Sequence, residues 1–449
     1  MAHFHGPLAG AGGIGLDFGT TNSAVAGVIG GAPVLATYQT TGGRAGTFPS
    51  ILYFERQRDA ALERIRATAG PAAVERYLLA ERKGRLIQSL KTCLADTRFE
   101  RWTIFGRAYR LEDLVALVIR HMLSQADGGA GSLPSRAVVG QPVHFATSRD
   151  EADDDIGRRR LLAAVGQCGF DEVIFEYEPV AAAYSYSRAL GRDELILIGD
   201  FGGGTSDFCI LRVGPTLHAR GRRPEDTLGV DGVAIAGDAF DRQLVRHLVA
   251  PPLGLGSECL SSPGKRLPMP AWPYERLERW HHVSFLDNYA DLERLEHLRH
   301  RALCPEAVGA LIHLVRDGLG YQLHEAVRQT KFELSVRETA NFAFSCGPVS
   351  IERRITRRDF EGWIGGELAA LAACVDRLLR TAGVRADEVD RVFLTGGSSF
   401  VPAVRKILAD RFGAHKITGG SELTSVATGL ALRAAERWPG LAASRVICA

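Results

Sequence analysis

Two acidic, glycine-rich turns, each placed directly after an apolar run, constrain this chain more than anything else in it. One reads Ile14-Gly-Leu-Asp17-Phe-Gly19-Thr20-Thr21-Asn22-Ser23, the other Leu195-Ile-Leu-Ile198-Gly-Asp200-Phe-Gly202-Gly203-Gly204-Thr205-Ser-Asp207-Phe208. An apolar run that ends in glycine and hydroxyl residues reads as a buried strand entering a β-hairpin whose turn offers backbone N–H groups and hydroxyls to polyphosphate. An aspartate in such a turn would repel phosphate directly, so Asp17 and Asp200 make sense beside a bridging divalent cation or an oriented water. Two such turns predict two related halves closing on one nucleotide, with Mg-ATP as the chemistry.

At 449 residues the chain is too long for one simple core and predicts two domains or large lobes. A formal charge of +2 calls for neither nucleic acid nor an anionic membrane. The basic clusters Arg158-Arg-Arg160 and Arg353-Arg354 with Arg357-Arg358 read as solvated helix or turn faces. Eight cysteines are scattered without a CxxC pair, which predicts reduced, mostly buried thiols. The start carries neither a basic n-region nor a long apolar h-region, and no stretch reaches the ~20 apolar residues of a membrane span, so a cytoplasmic location is expected, with residues 1–13 a flexible leader holding His3 and His5.

Alternating strand and helix signals from Ile14 to about Arg437 predict an α/β protein. Leu111 to Leu123 has apolar spacing of three and four and predicts a helix packed on a sheet. Arg136 to Phe145 reads as a strand running into a turn, Ser148 to Cys168 as a long helix, and Val173 to Phe175 as a short strand; Glu178-Pro179 then opens an alanine-rich helix. Residues 251–310 are irregular and read as a peripheral insert. Tyr321 to Leu334 is helical, and Arg391 to Leu408 is a strand, a Gly396-Gly397 turn and a helix whose N-terminus suits an anionic or flat ligand.

In order along the chain stand LDFGTTNS, SLKTCL around Lys91, AVVGQPVHF around Pro142, YEPVAAAY around Glu178, DFGGGTSDF at Asp200, GDAFD at Gly237 to Asp241, TKFELS around Lys331 and LTGGSSFVP at Thr395 to Pro402. Together these resemble the nucleotide-binding domain of DnaK-type heat-shock chaperones, within the actin-like ATPase superfamily. The stretch from Trp272 to Trp280-His-His looks like the short YegD-type branch. The resemblance implies an actin-like fold of two lobes, each a mixed sheet flanked by helices, with a nucleotide cleft between them. Lobe I would be residues 14–212, lobe II 213–420 with its insert, and 421–449 a C-terminal helix and tail.

By the same resemblance, Asp17, Gly19, Thr20, Thr21 and Asn22 match the first phosphate loop, and Asp200, Gly202, Gly203, Gly204, Thr205 and Asp207 the second. Lys91 matches the catalytic lysine and Glu178 the acid near the attacking water. Gly237 and Asp238 match a loop near sugar and phosphates, while Lys331, Ser335, Gly396, Gly397 and Ser398 match the adenosine group. ATP or ADP with magnesium, and potassium as a further ion, are the implied cofactors, with Asp17 and Asp200 holding magnesium through its water shell. In-line hydrolysis needs a positioned water and neutralised phosphoryl charge more than covalent chemistry, which gives Lys91, Glu178, Asp200, Thr205 and Asp207 their expected roles.

Two departures fall at the adenosine end. Arg328 stands where the family has an acid, and Phe400 where an arginine stacks on adenine; a phenyl ring also stacks on a purine. The acid expected near the last helix falls on Leu423, beside Glu422. The chain stops after Trp438 to Ala449, which predicts no peptide-binding domain. The expectation is a slow ATPase acting as a nucleotide switch for a protein partner or client, monomeric, with no nucleic acid or membrane partner. A sugar or small-metabolite kinase is one alternative. An actin-like filament or scaffold with Trp272, Trp280 and Phe285 as contact anchors is the other.

Overall fold

The computed structural model describes residues 8–59, 62–80, 84–126, 134–188, 190–221, 223–261, 264–279, 289–419 and 423–439. The chain divides into two compact units. The first comprises Met1–Ala236, Ala370–Ser399 and Arg405–Ala449, the second Gly237–Ala369 and Phe400–Val404.

The first unit is built on two mixed sheets of matching topology. In one, the antiparallel hairpin Ile14–Asp17/Asn22–Ile29 extends on one side to Ala32–Leu35. On the other side its first strand pairs in parallel with Arg136–Gln141, which pairs in parallel with Glu172–Tyr177. In the other sheet, the hairpin Glu194–Phe201/Ser206–Val213 extends antiparallel to Thr227–Val233, and its first strand pairs in parallel with Arg391–Thr395, itself parallel to Ile417–Gly419. Each glycine-rich turn therefore closes the central hairpin of a sheet. The central strands are apolar on both faces; the successive residues Val138 and Val139, and Ile196, Leu197 and Ile198, are all wholly buried, as strands covered on both sides require.

Parallel pairing needs a crossover, and Glu151–Gly166 supplies it between Arg136–Gln141 and Glu172–Tyr177. This helix starts on Asp150, whose side chain accepts from the Asp153 N–H at 3.0 Å and caps the first turn. Helix Glu178–Ser187 carries proline in its first turn. Together with Ser425–Arg437 it forms one apolar core containing residues of both sheets, including Val138, Val180, Ile196, Leu211 and Leu430. Trp438 closes the end of that core.

In the second unit, helices Tyr289–Arg301, Pro305–Arg316 and Gly320–Val336 accompany the hairpin Thr339–Cys346/Val349–Thr356. The expected peripheral insert contains a short hairpin, Glu258–Leu260/Arg266–Pro268, and helix Trp272–Glu278. Trp272 lies against the guanidinium groups of Arg276 and Arg294, 5.4 and 4.5 Å from its ring centre, and both arginines pair with Asp291. Trp280, Phe285, Glu422, His3 and His5 lie outside the described residues. Among the described residues no helix is long and apolar enough to cross a membrane, and the seven described cysteines are free thiols.

Candidate functional site

The two glycine-rich turns of the first unit meet face to face. A Cβ on Gly203 would stand 2.7 Å from Thr21 Oγ1 and 3.2 Å from Thr20 Cβ, so only glycine lets the second turn approach the first this closely. Gly202 N–H donates to the Thr205 carbonyl at 3.0 Å and Gly19 N–H to Ser23 Oγ at 3.2 Å. Beside Gly204 lies Thr92, from the short 3₁₀ helix Leu90–Cys93 that carries Lys91. Gly396, at φ +80°, sits so close to Phe201 O and Asp200 Oδ1 that any side chain there would collide with them, and Ser398 Oγ donates to Gly202 O at 3.0 Å. Thus Gly396 and Ser398, expected at the adenosine end, abut the second turn.

Lys91 does not have the solvated environment usual for a lone lysine. Its Nζ lies 2.5 Å from Glu178 Oε1, and both side chains are only 8 % exposed. Glu178 stands at the start of helix Glu178–Ser187, and its Cγ would touch a Cβ on Gly140 of the neighbouring strand at 3.1 Å. Asp207 is held from two sides: Thr205 Oγ1 donates to Oδ2 and Val143 N–H to Oδ1, each at 2.7 Å. Val143 follows Pro142 in a motif visible in the sequence, but its role as a donor was not legible there.

Three buried carboxylates, on Glu178, Asp200 and Asp207, and the half-buried Asp17 thus lie around one ammonium. Burial, with the charge of Glu178 adding to it, pushes Asp17 and Asp207 up to about 7. Asp200 rises well above the usual carboxylate range through burial and then the charges of Glu178, Asp207 and Asp17. For Lys91 burial pulls downward, but Glu178 and Asp17 outweigh it and the ammonium is held above its ordinary value. This excess of negative charge fits added positive charge between the turns. Among the described residues no three His, Cys, Asp or Glu side chains form a chelating group. Two carboxylates with a retained water shell, the habit of magnesium, match that donor set.

In the second unit, Gly237 and Asp238 open helix Gly237–Leu244, and Lys331 and Ser335 lie on Gly320–Val336. Lys331 Nζ joins the two helices, 3.1 Å from Gly237 O and 2.8 Å from Asp241 Oδ1. Asp241 was visible in the GDAFD motif without an assigned role. Asp238 is pushed up to about 7 by burial and the Asp241 charge, and its Oδ2 makes no hydrogen bond among the described residues. Ser335 Oγ donates to the Lys331 carbonyl at 3.0 Å. Arg328 pairs with Glu325 and lies over the Tyr321 ring at 5.7 Å. Phe400 belongs to this unit and is 43 % exposed. Gly397 opens the 3₁₀ turn Gly397–Phe400, and Asn22 begins its strand, exposed.

Residues 88–251 and 315–444, well over half of the chain, match the family model described as Hsp70 protein. The chain belongs to the Hsp70 family. The matched segments of this Hsp70 chain contain Lys91, Glu178, the second turn, Gly237, Asp238, Lys331, Ser335 and Gly396 to Phe400; the first turn lies outside them. Among curated proteins it is similar to "Chaperone protein dnaK1" of Nostoc sp. (strain PCC 7120 / SAG 25.82 / UTEX 2576), 26% identical over 440 residues, covering 94% of this chain and 54% of that protein. It is likewise similar to "Chaperone protein DnaK" of Trichormus variabilis (strain ATCC 29413 / PCC 7937), 25% identical with the same coverage. The chain spans about half the length of these relatives. Family membership carries the actin-like ATPase fold, and the paired mixed sheets agree with it.

Proposed function

We propose that this Hsp70 chain binds ATP with magnesium, hydrolyses it slowly in the cytoplasm, and uses nucleotide-driven lobe closure to switch an interaction with a protein partner. The observation that carries the reading is the facing pair of glycine-rich turns with Lys91, Glu178 and Asp207 gathered around them. Backbone N–H groups of Thr20, Thr21, Gly203 and Gly204 and the hydroxyls of Thr20 and Thr21 would cradle the β- and γ-phosphates, in turns closed by Gly19, Gly202 and Thr205. Asp17 and Asp200 would hold magnesium through its waters, and magnesium when bound would supply charge neutralisation at the phosphoryl oxygens. Lys91, fixed by Glu178, would stabilise phosphoryl charge. Asp207, titrating at about 7 and aimed by Thr205 and Val143, is suited to accept a proton from an attacking water that Glu178 helps orient. In the second unit, Asp238 with Lys331, Ser335 and Phe400 would meet the nucleoside, and Arg328 leaves its preference for adenine open to measurement.

The test is phosphate release by purified protein with ATP and magnesium, compared with the Asp17→Ala/Asp200→Ala double variant. Loss of release in the variant supports the reading. Full release without both acids refutes it, and phosphate appearing on an added sugar would favour a kinase.

A further inference from the structure

Arg160 ends a run of three arginines that reads as a solvated helix face, and two of the three are exposed as that reading requires. Arg160 differs. Its Nη1 points at the C-terminal end of the 3₁₀ helix Leu90–Cys93, donating to the carbonyls of Leu94 and Asp96 at 2.9 Å each, with the Cys93 carbonyl at 3.5 Å. Carbonyls at a helix end have no partner within the helix, and a cation is favoured there. A second tie comes from Thr147, whose Oγ1 donates to Thr92 O at 3.0 Å.

The segment needs outside anchors because its own geometry is strained. Ser89, just before it, sits at φ +52°, a left-handed conformation unfavourable for a side-chain-bearing residue, and its buried Oγ makes no hydrogen bond among the described residues. The 3₁₀ turn itself is short, with poorer hydrogen-bond geometry than an α-helix. Yet it must hold Lys91 Nζ 2.5 Å from Glu178 and Thr92 against Gly204.

We infer that Arg160, assisted by Thr147, is the positioning residue for Lys91: it clamps the exit of the 3₁₀ turn so that the ammonium stays on Glu178 and faces the two glycine-rich turns. The inference rests on the ATPase reading above for its kinetic consequence, but not for the geometry. Arg160 acts through the backbone of Leu94 to Asp96, touches no reacting atom, and should therefore alter turnover and leave nucleotide affinity alone.

Two readouts on the full chain separate the possibilities. In steady-state ATP hydrolysis, Arg160→Ala should lower kcat about 10- to 100-fold with KM and ADP affinity unchanged, as a misplacement of an ångström does. Arg160→Lys should recover part of the loss, Thr147→Val should show a smaller loss of the same kind, and the exposed neighbour Arg159→Ala none. In a Lys91→Ala background, Arg160→Ala should cost nothing further, because the group it positions is gone. Independently of activity, amine acylation read by peptide mass should find Lys91 protected in the parent and labelled in Arg160→Ala. A folded Arg160→Ala protein with Lys91 still protected, or kcat losses that multiply through Lys91→Ala, overturns the inference. If the parent hydrolyses no ATP but Arg160→Ala unmasks Lys91, the ATPase reading fails and the positioning role stands.

Discussion

Lys91 and Glu178 are partners, but the charges around them make the two ends of the pair unequal. Replacing Lys91 with alanine leaves three buried carboxylates and the half-buried Asp17 without that cation, and breaking a buried pair in this way costs about 3–5 kcal/mol. The rise of Asp17 from 3.8 to about 7 gives a similar scale, about 4 kcal/mol for ionising that one group at about 1.4 kcal/mol per unit. Replacing Glu178 with glutamine removes one negative charge and leaves Lys91 with Asp17 and Asp207, so its expected cost is within about 1 kcal/mol. In thermal unfolding of nucleotide-free protein at pH 8 and low salt, Lys91→Ala should lower the midpoint by roughly 3–8 °C, and Glu178→Gln by no more than roughly 2 °C. The pH dependence has a definite sign. Asp17 and Asp207 have raised folded pKa values, so their protonation favours the fold fully below the ordinary value of 3.8 and that benefit is lost as pH rises through about 7. The Lys91→Ala deficit should accordingly shrink at pH 5.5. Equal losses for the two variants, or a larger loss for Glu178→Gln, would refute the picture of a single cation serving an acid-rich pocket.

His324 is buried, bonds the Leu277 carbonyl through Nε2 at 3.1 Å, and is pushed down to about 3, chiefly by burial. The fold it favours is the neutral one, so its contribution is complete above 6.5 and is lost as pH falls toward 3. At pH 5 the loss is about 2 kcal/mol, and His324→Gln should flatten the acid limb of the stability curve. A Cβ on Gly15 would fall 2.2 Å from the backbone nitrogen of Ala431, so Gly15→Val should destabilise by at least about 3 kcal/mol in urea titration, whereas Gly166→Ala, in a helix with open space around it, should be neutral or stabilising by up to about 1 kcal/mol. ADP with magnesium at a hundredfold excess over its dissociation constant should stabilise the protein by about 2.7 kcal/mol, and Asp200→Asn should abolish the magnesium dependence of that shift in a thermal melt.

The hairpins were legible because everything that makes them is local: an apolar run of four or more residues, then glycines that permit the turn. The helix Leu111–Gln125 was legible for the same reason, its apolar spacing being set within three turns. The environment of Lys91 was not, since its partner lies 87 residues away and the turn that presents it has no apolar period of its own. Arg160 was misread because three consecutive arginines look alike in sequence, while on a helix they point 100° apart and only one faces the Leu90–Cys93 segment. The position of Phe400 was hidden too. The four residues before it continue from a strand of the first unit, yet Phe400–Val404 groups with Gly237–Ala369 through contacts the local sequence does not encode.

Carboxyl groups poised near neutrality couple this site to the solution's hydrogen ions. Burial and the Glu178 charge push Asp17 and Asp207 up to about 7, so a divalent cation placed between the turns would favour their ionised forms and release protons, while phosphate oxygens beside them would oppose that. The net proton change on loading the site would then be read from the heat of binding measured in buffers of different ionisation enthalpy.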